Sequence, residues 1–102
     1  MKNKLCLLLI LSSFVLNIHA QKSIRIGIIG LDTSHSVAFT DLINGDKDNA
    51  FAKGFRIVAA YPYGSKTIES SAKRIPGYIK KVEQQGVEIV SSISELLDKV
   101  DC

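Results

Sequence analysis

The residues best suited to chemistry lie in one short segment, 30–35, directly after a β-branched apolar run. In dinucleotide-binding units the first strand leads into a Gly-x-Gly-x-x-Gly turn, where backbone amides at a helix N-terminus bind the pyrophosphate. Here only the first glycine is present, because Asp32 takes the second glycine position and His35 the third. One glycine of three does not by itself establish a cofactor site, so the segment is a candidate cofactor-binding turn with an altered fingerprint, formed by Gly30, Leu31, Asp32, Thr33, Ser34 and His35.

The same segment contains Ser34 beside His35, residue types that hydrolases use. Adjacent side chains diverge, whereas a catalytic triad needs convergent geometry, so we favour capping of the next helix by Asp32, Thr33 or Ser34. His35 is the only histidine after residue 20, and it either contacts a ligand or packs in the turn. One histidine and scattered carboxylates lack the ligand spacing of a metal site, so no metal is predicted.

A second candidate segment, 61–65, follows the second apolar run. In dinucleotide-binding folds this strand ends in an acid that binds the ribose hydroxyls, but Pro62 stands at that position. Tyr61, Pro62 and Ser65 would nevertheless lie near the adenosine of a nucleotide, with Ser65 or Lys66 able to contact a phosphate. We favour the simpler interpretation of this segment, an ordinary turn between a strand and a helix.

The two candidate segments must be held in place by strands and helices, which the pattern of apolar residues predicts. Buried-type strands are predicted at 23–30, 55–61 and 87–90. A first helix ends near residue 45, and its apolar face comprises Ala38, Phe39, Leu42 and Ile43. Two helical pieces at 67–74 and 78–85 are separated by Pro76, and Ser92 with Glu95 forms a capping box for a last helix.

The order β-α-β-α-β-α favours an α/β fold with a Rossmann-like parallel sheet and flanking helices. Three strands are visible in the sequence. Residues 100–102 predict the start of a fourth strand, which we expect to continue beyond the C-terminus.

The first twenty residues have the pattern of a secretory signal peptide. Lys2 and Lys4 precede a stretch of twelve mostly apolar residues, 5–16, and Ala20 is a small residue suited to cleavage. A membrane-spanning helix needs about 20 apolar residues, so an uncleaved anchor is the less favoured alternative. We expect cleavage after Ala20, a secreted or periplasmic protein, and no stable membrane span after cleavage.

Charge and cysteine content exclude two further classes of protein. The 102 residues are 46% hydrophobic with a formal net charge of +3. Residues 21–102 hold 11 basic and 10 acidic side chains, a balance that excludes a strongly basic nucleic-acid-binding surface. Cys102 is the only cysteine among them, so they cannot form an internal disulfide.

We expect a signal peptide at 1–20 and a partial Rossmann-like nucleotide-binding domain at 21–102, incomplete at the C-terminus.

Several stretches together resemble the N-terminal domain of the Gfo/Idh/MocA family of oxidoreductases. They are the glycine-ended run 26–30, the second apolar run 57–60, the Gly-Val pair 86–87, and the sequence SELLDKVD at 94–101. The last stretch is the most specific, and the resemblance extends over nearly all of residues 24–102.

The resemblance implies NAD or NADP as cofactor, a sugar-like or polyol substrate, and oligomer contacts through a C-terminal α/β domain. The family's Glu-Lys-Pro motif with its catalytic lysine has no counterpart in the 102 residues, so no catalytic residue is assigned and the chain alone is expected to be inactive. The alternative function is a non-catalytic exported protein that binds a sugar-like ligand at the altered turn. A surface-anchored structural piece is a third possibility, which requires an uncleaved signal.

Overall fold

The computed structural model describes residues 23–45 and 52–102, so the segment predicted to be a signal peptide lies outside the described residues. The strands are β1 (Ile24–Ile29), β2 (Phe55–Tyr61) and β3 (Glu88–Ile89). The helices are α1 (Ser34–Thr40), α2 (Glu69–Gln84) and α3 (Ile93–Lys99), and a π-helical turn (Asp41–Gly45) continues α1.

The three strands form one parallel sheet in the order β1-β2-β3, with a helical connection between each pair. Parallel neighbours need such crossovers, so the predicted α/β class with flanking helices is confirmed. The central strand, β2, is the most deeply buried, with Ile57, Ala59 and Ala60 at most 2% exposed. Val58 is an extra residue at a bulge, because Ile26 pairs with Ile57 but Gly27 pairs with Ala59.

Side chains pack on both faces of this sheet. On one face Val37, Ile43 and α2 cover a core that includes Leu31, Ile57 and Val82. On the other face Leu96 of α3 packs against Ala59 and Val90. The ends of β1 are less covered than a fully buried strand requires, since Ile24 and Ile29 are 44% and 57% exposed. The predicted burial of the first strand is therefore only partial, since even the residues in its middle, 26–28, are half-buried.

The buried face of the first helical segment differs from the prediction. Phe39 and Leu42 were expected to face the core, but they are 57% and 44% exposed. Ile43 packs against the core, as predicted, while Thr40 and Asn44 are buried. The Thr40 hydroxyl meets its hydrogen-bonding need within the helix by donating to the Ser36 carbonyl at 2.7 Å.

Asn44 is buried because it supplies hydrogen-bond partners that the sheet lacks. Its Oδ1 accepts from the Ile57 amide at 2.9 Å, and its Nδ2 donates to the Ile57 carbonyl at 2.8 Å. The same Nδ2 donates to the Gln85 carbonyl at 3.1 Å. Since β3 pairs only with Ala59 and Ala60, the Asn44 side chain acts as the missing strand neighbour of Ile57.

The two helical pieces predicted around Pro76 are one continuous helix, α2, with Pro76 inside it. A proline in a helix interior costs roughly 3 kcal/mol through a lost hydrogen bond and a steric conflict. Pro76 itself is exposed, whereas Tyr78, Ile79 and Val82 pack against the core. Burial of this face offsets the local cost, so the helix continues through the proline.

The capping box predicted for α3 forms with one change of partner. The Ser92 hydroxyl accepts from the Glu95 amide at 3.1 Å, as predicted. The Glu95 carboxylate accepts from the Ser91 amide and the Ser91 hydroxyl, each at 3.0 Å, instead of from Ser92. These two hydrogen bonds, led by the one from the amide, lower the pKa of Glu95.

The residues after α3 lie along the edge of β1 that faces away from β2. The Asp101 amide donates to the Arg25 carbonyl at 2.8 Å, and the Gly27 amide donates to the Cys102 carbonyl at 2.8 Å. The Arg25 guanidinium also binds the Asp101 carboxylate, with one N–O distance of 3.0 Å. This side-chain hydrogen bond, followed by one from the Arg25 amide, lowers the pKa of Asp101.

A fall in pH is expected to weaken the attachment of residues 101–102 to β1. A carboxylate whose pKa is lower in the folded state contributes stability that is present above its unfolded pKa and is lost as pH falls through its folded pKa. For Asp101 and Glu95 that window opens at about pH 5 and extends downward. We expect urea unfolding to show a fall in the free energy of unfolding across it. Asp101→Asn should reduce this pH dependence.

Asp98→Asn is the matched control, because Asp98 is exposed and forms no ion pair with any residue from 23–45 or 52–102. It should retain the wild-type pH dependence. Equal pH dependences for the wild type and Asp101→Asn would contradict the assignment of this acid sensitivity to Asp101.

Candidate functional site

The two candidate segments meet at the sheet edge where β1 and β2 end. The Gly30 amide donates to the Tyr61 carbonyl at 2.9 Å, and the Leu31 amide donates to the Tyr63 carbonyl at 3.2 Å. The Tyr63 amide also donates to the Tyr61 carbonyl at 2.8 Å, which tightens the second turn. Backbone bonds thus join residues 30–35 and 61–65 in one site, at the carboxyl ends of parallel strands, where α/β sheets bind ligands.

Two glycines allow this close approach. Gly30 has a φ of +102°, a conformation that residues with a side chain rarely adopt. Gly64 has an ordinary φ, but a Cβ atom there would lie 2.6 Å from Ile75 Cδ1, 2.9 Å from Ser71 Oγ and 3.1 Å from Asp32 Cβ. The fingerprint pattern identified Gly30 from the residue types, and the sequence placed Gly64 in the second turn without indicating its close contact with Ser71 and Asp32.

Asp32 joins the site through Ser71, a residue that the sequence did not single out. The Ser71 hydroxyl donates to Asp32 Oδ2 at 2.9 Å, and the same Ser71 Oγ accepts from the Ser65 amide at 2.9 Å. Ser71 is 7% exposed and lies in the first turns of α2. No sequence signal distinguishes it from the neighbouring Ser70, because only the fold brings it near Asp32.

The predicted capping of α1 by a side chain is wrong. Thr33 is the N-cap residue, with an extended backbone, but no side chain makes a capping hydrogen bond there. Instead the Ser36 hydroxyl donates to the Thr33 carbonyl at 2.7 Å, and Asp32 is engaged by Ser71. Ser34 and His35 are exposed, so His35 does not pack into the turn.

A groove of about 330 Å³ opens beside the second turn. Tyr61 and Tyr63 lie along it with their rings stacked, centroids 6.2 Å apart and planes inclined by 27°. Tyr63 is 62% exposed, so much of its surface is available to a ligand. The other lining residues come from the turn and from α2: Pro62, Gly64, Ser65, Lys66, Ala72, Ile75 and Pro76.

A second cavity, of about 370 Å³, lies at the opposite end of the strands. It is lined by Ile26, Ile43, Ala52 and Phe55, none of which can titrate or donate a side-chain hydrogen bond. It is similar in volume to the groove, but it lies at the amino ends of β1 and β2. Parallel α/β sheets bind ligands at the opposite edge, so we place the candidate site at the two turns.

In residues 23–45 and 52–102 no group of three histidine, cysteine or acidic side chains is arranged to hold a metal ion. None of the helices in this part of the chain combines the length and apolar character needed to cross a bilayer.

Comparison with known proteins leaves the site to be interpreted from its own contacts. No family model, curated protein or solved structure matches this chain.

Proposed function

We propose that this chain is the N-terminal nucleotide-binding portion of an exported Gfo/Idh/MocA-like oxidoreductase. It would use NAD or NADP with a sugar-like or polyol substrate. The sequence resemblance supports the proposal, as does the parallel α/β sheet, which is compatible with a Rossmann-like fold. The observation that carries it furthest is the pairing of residues 101–102 with β1.

That pairing bears on where a ligand would bind. The chain leaves β3 at one edge of the sheet, passes through α3, and returns alongside β1 at the other edge. A fourth strand beside β1 would give the order 3-2-1-4, which is the order of the first four strands of the six-stranded Rossmann sheet. In such sheets ligands bind at the carboxyl ends of the strands, where the direction of winding reverses. With this order the reversal falls beside β1, next to Gly30.

The residues fit a dinucleotide in part. The turn formed by 30–35 would lie beside the pyrophosphate, and Tyr61, Pro62 and Ser65 would lie near the adenosine. The exposed Tyr63 ring offers a flat aromatic surface for a base. The nicotinamide would supply hydride acceptance or donation. The family's Glu-Lys-Pro motif with its catalytic lysine has no counterpart in the 102 residues, so this chain alone is expected to bind but not to turn over substrate.

Two features favour a second candidate, a non-catalytic exported protein that binds a sugar-like small ligand. Asp32 places a carboxylate in the turn where a pyrophosphate would approach, and Pro62 replaces the acid that would bind the ribose. A carboxylate can instead accept hydrogen bonds from sugar hydroxyls, and nearby protein hydroxyls can both donate to them and accept from them. The two candidates differ in whether a dinucleotide binds at all.

Calorimetric titration of the purified full chain with NADH and NADPH separates them. We expect binding of at least one cofactor below millimolar concentration. Asp32→Asn, which retains an oxygen to accept from Ser71 but removes the charge, should tighten binding roughly three- to tenfold by relieving repulsion of the pyrophosphate. Asp41→Asn is the matched control, since Asp41 is exposed in the π-helical turn, and it should change the affinity little.

No binding at millimolar cofactor would reject the oxidoreductase proposal and leave the sugar-binding candidate. Cofactor binding that Asp32→Asn weakens would place the pyrophosphate elsewhere than at this turn.

A further inference from the structure

The groove beside β2 is distinguished by its lack of acidic side chains. In dinucleotide-binding folds a carboxylate at the end of the second strand accepts hydrogen bonds from the ribose 2′-hydroxyl, which suits NAD. The same carboxylate would repel a phosphate at that position. Here Pro62 occupies the position, and among the described residues no aspartate or glutamate lines the groove.

The charged residue that lines the groove is a lysine. Lys66 is exposed and forms no ion pair within the described part of the chain. The acid nearest to it in sequence, Glu69, is paired with Lys73 in the first turns of α2. The ammonium group of Lys66 is therefore free to bind an anion.

The hydroxyls of Ser65 and Thr67, on either side of Lys66 in the chain, together have one hydrogen that is free to donate to a ligand. Ser65 Oγ lies 3.2 Å from Thr67 Oγ1, and either hydroxyl can donate to the other. Ser65 Oγ also accepts from the amides of Thr67 at 3.3 Å and Ile68 at 3.1 Å. Whichever hydroxyl donates in the shared bond, the hydrogen of the other has no protein acceptor among the described contacts. A phosphate oxygen would supply one.

We infer that this site prefers an adenosine with a phosphate on its 2′ oxygen, and hence NADP over NAD. This inference rests on the proposed function, because it concerns the adenosine end of the same dinucleotide. The phosphate would be bound by Lys66 and by the free hydroxyl of the Ser65–Thr67 pair, next to the stacked tyrosines. Three features would favour NADP over NAD. They are the unpaired Lys66 ammonium, one free hydroxyl hydrogen, and the lack of carboxylates along the groove in the described part of the chain.

Two pairs of ligands test this feature: NADPH and NADH, which differ only in the 2′-phosphate, and adenosine 2′,5′-bisphosphate and ADP, of which only the former carries a 2′-phosphate. With the full chain, we expect the bisphosphate and NADPH to bind at least tenfold more tightly than ADP and NADH. Lys66→Gln should reduce the affinity for the 2′-phosphorylated pair three- to tenfold and reduce the affinity for ADP and NADH by a much smaller factor. Lys80→Gln, which removes an equal charge from an exposed position of α2 away from the groove, should change none of the four affinities.

Each contrary result rejects a defined claim. NADH binding as tightly as NADPH would overturn the preference while leaving the proposed function standing. Binding of neither dinucleotide would reject both. Displacement of the bisphosphate by inorganic phosphate at similar concentration would show a general anion site and overturn the nucleotide assignment.

Discussion

Asn44→Ala is expected to lower the free energy of unfolding by about 2–4 kcal/mol, because it leaves buried backbone groups without partners. The Ile57 amide would lose its acceptor, and the carbonyls of Ile57 and Gln85 would lose their donor. The whole free energy of unfolding of a domain is typically about 5–15 kcal/mol, so this loss is a large fraction. Urea unfolding monitored by circular dichroism measures it.

Gln84→Ala is the matched control, since it removes an exposed amide side chain from the end of α2. Its effect should stay within about 0.5 kcal/mol, as for most surface substitutions. If Asn44→Ala is too unstable to purify, hydrogen exchange of the Ile57 amide in the wild type provides a second measurement. That amide should be among the most protected, and rapid exchange or a loss below about 0.5 kcal/mol in the variant would contradict the assigned role.

Gly64→Ala is expected to destabilise the protein by about 1–3 kcal/mol, as overpacking of a filled site does. The added methyl group would lie 2.6 Å from Ile75 Cδ1, which can move, and 2.9 Å from Ser71 Oγ. Ser71 is less free to move, because it bonds both Asp32 and the Ser65 amide. The variant should therefore also weaken ligand binding, since it separates the two turns.

Gly77→Ala provides a control with the opposite expected sign. Gly77 lies inside α2, and a Cβ atom there meets no heavy atom within 4 Å. Alanine is favoured over glycine in a helix interior by roughly 0.5–1 kcal/mol, so this variant should be more stable than the wild type. Thermal unfolding of the two variants compares them directly. Equal shifts in Tm would contradict the close packing described at Gly64.

The strands, and the meeting of the two candidate segments at one sheet edge, could be predicted from the sequence. Short β-branched apolar runs ending in glycine or proline determine β1 and β2, and parallel adjacency places their carboxyl ends at one edge. The approach of residues 30–35 to 61–65 follows from that adjacency. The turn after β2 and the altered fingerprint after β1 were visible in the residue types alone.

The polar contacts could not be predicted, because they depend on residues distant in sequence. The apolar spacing of 38–43 favoured Phe39 as a core residue, yet the unpaired backbone of Ile57 draws Asn44 inward instead. Asp32 was expected to cap α1 locally but binds Ser71, 39 positions later. The helix-breaking tendency of Pro76 is likewise overridden by tertiary packing of α2. Local rules fail at these points because long-range hydrogen bonds and burial contribute more.

We propose that the two turns at the carboxyl ends of β1 and β2 form one nucleotide-binding site. Backbone-amide NMR spectra of the full chain, recorded during titration with NADPH, would locate that site residue by residue. We expect the largest chemical-shift changes at residues 30–35 and 61–66, with little change around the apolar cavity at Ile26, Ile43 and Phe55. Unchanged spectra at millimolar NADPH, or changes concentrated at that cavity, would contradict the claim.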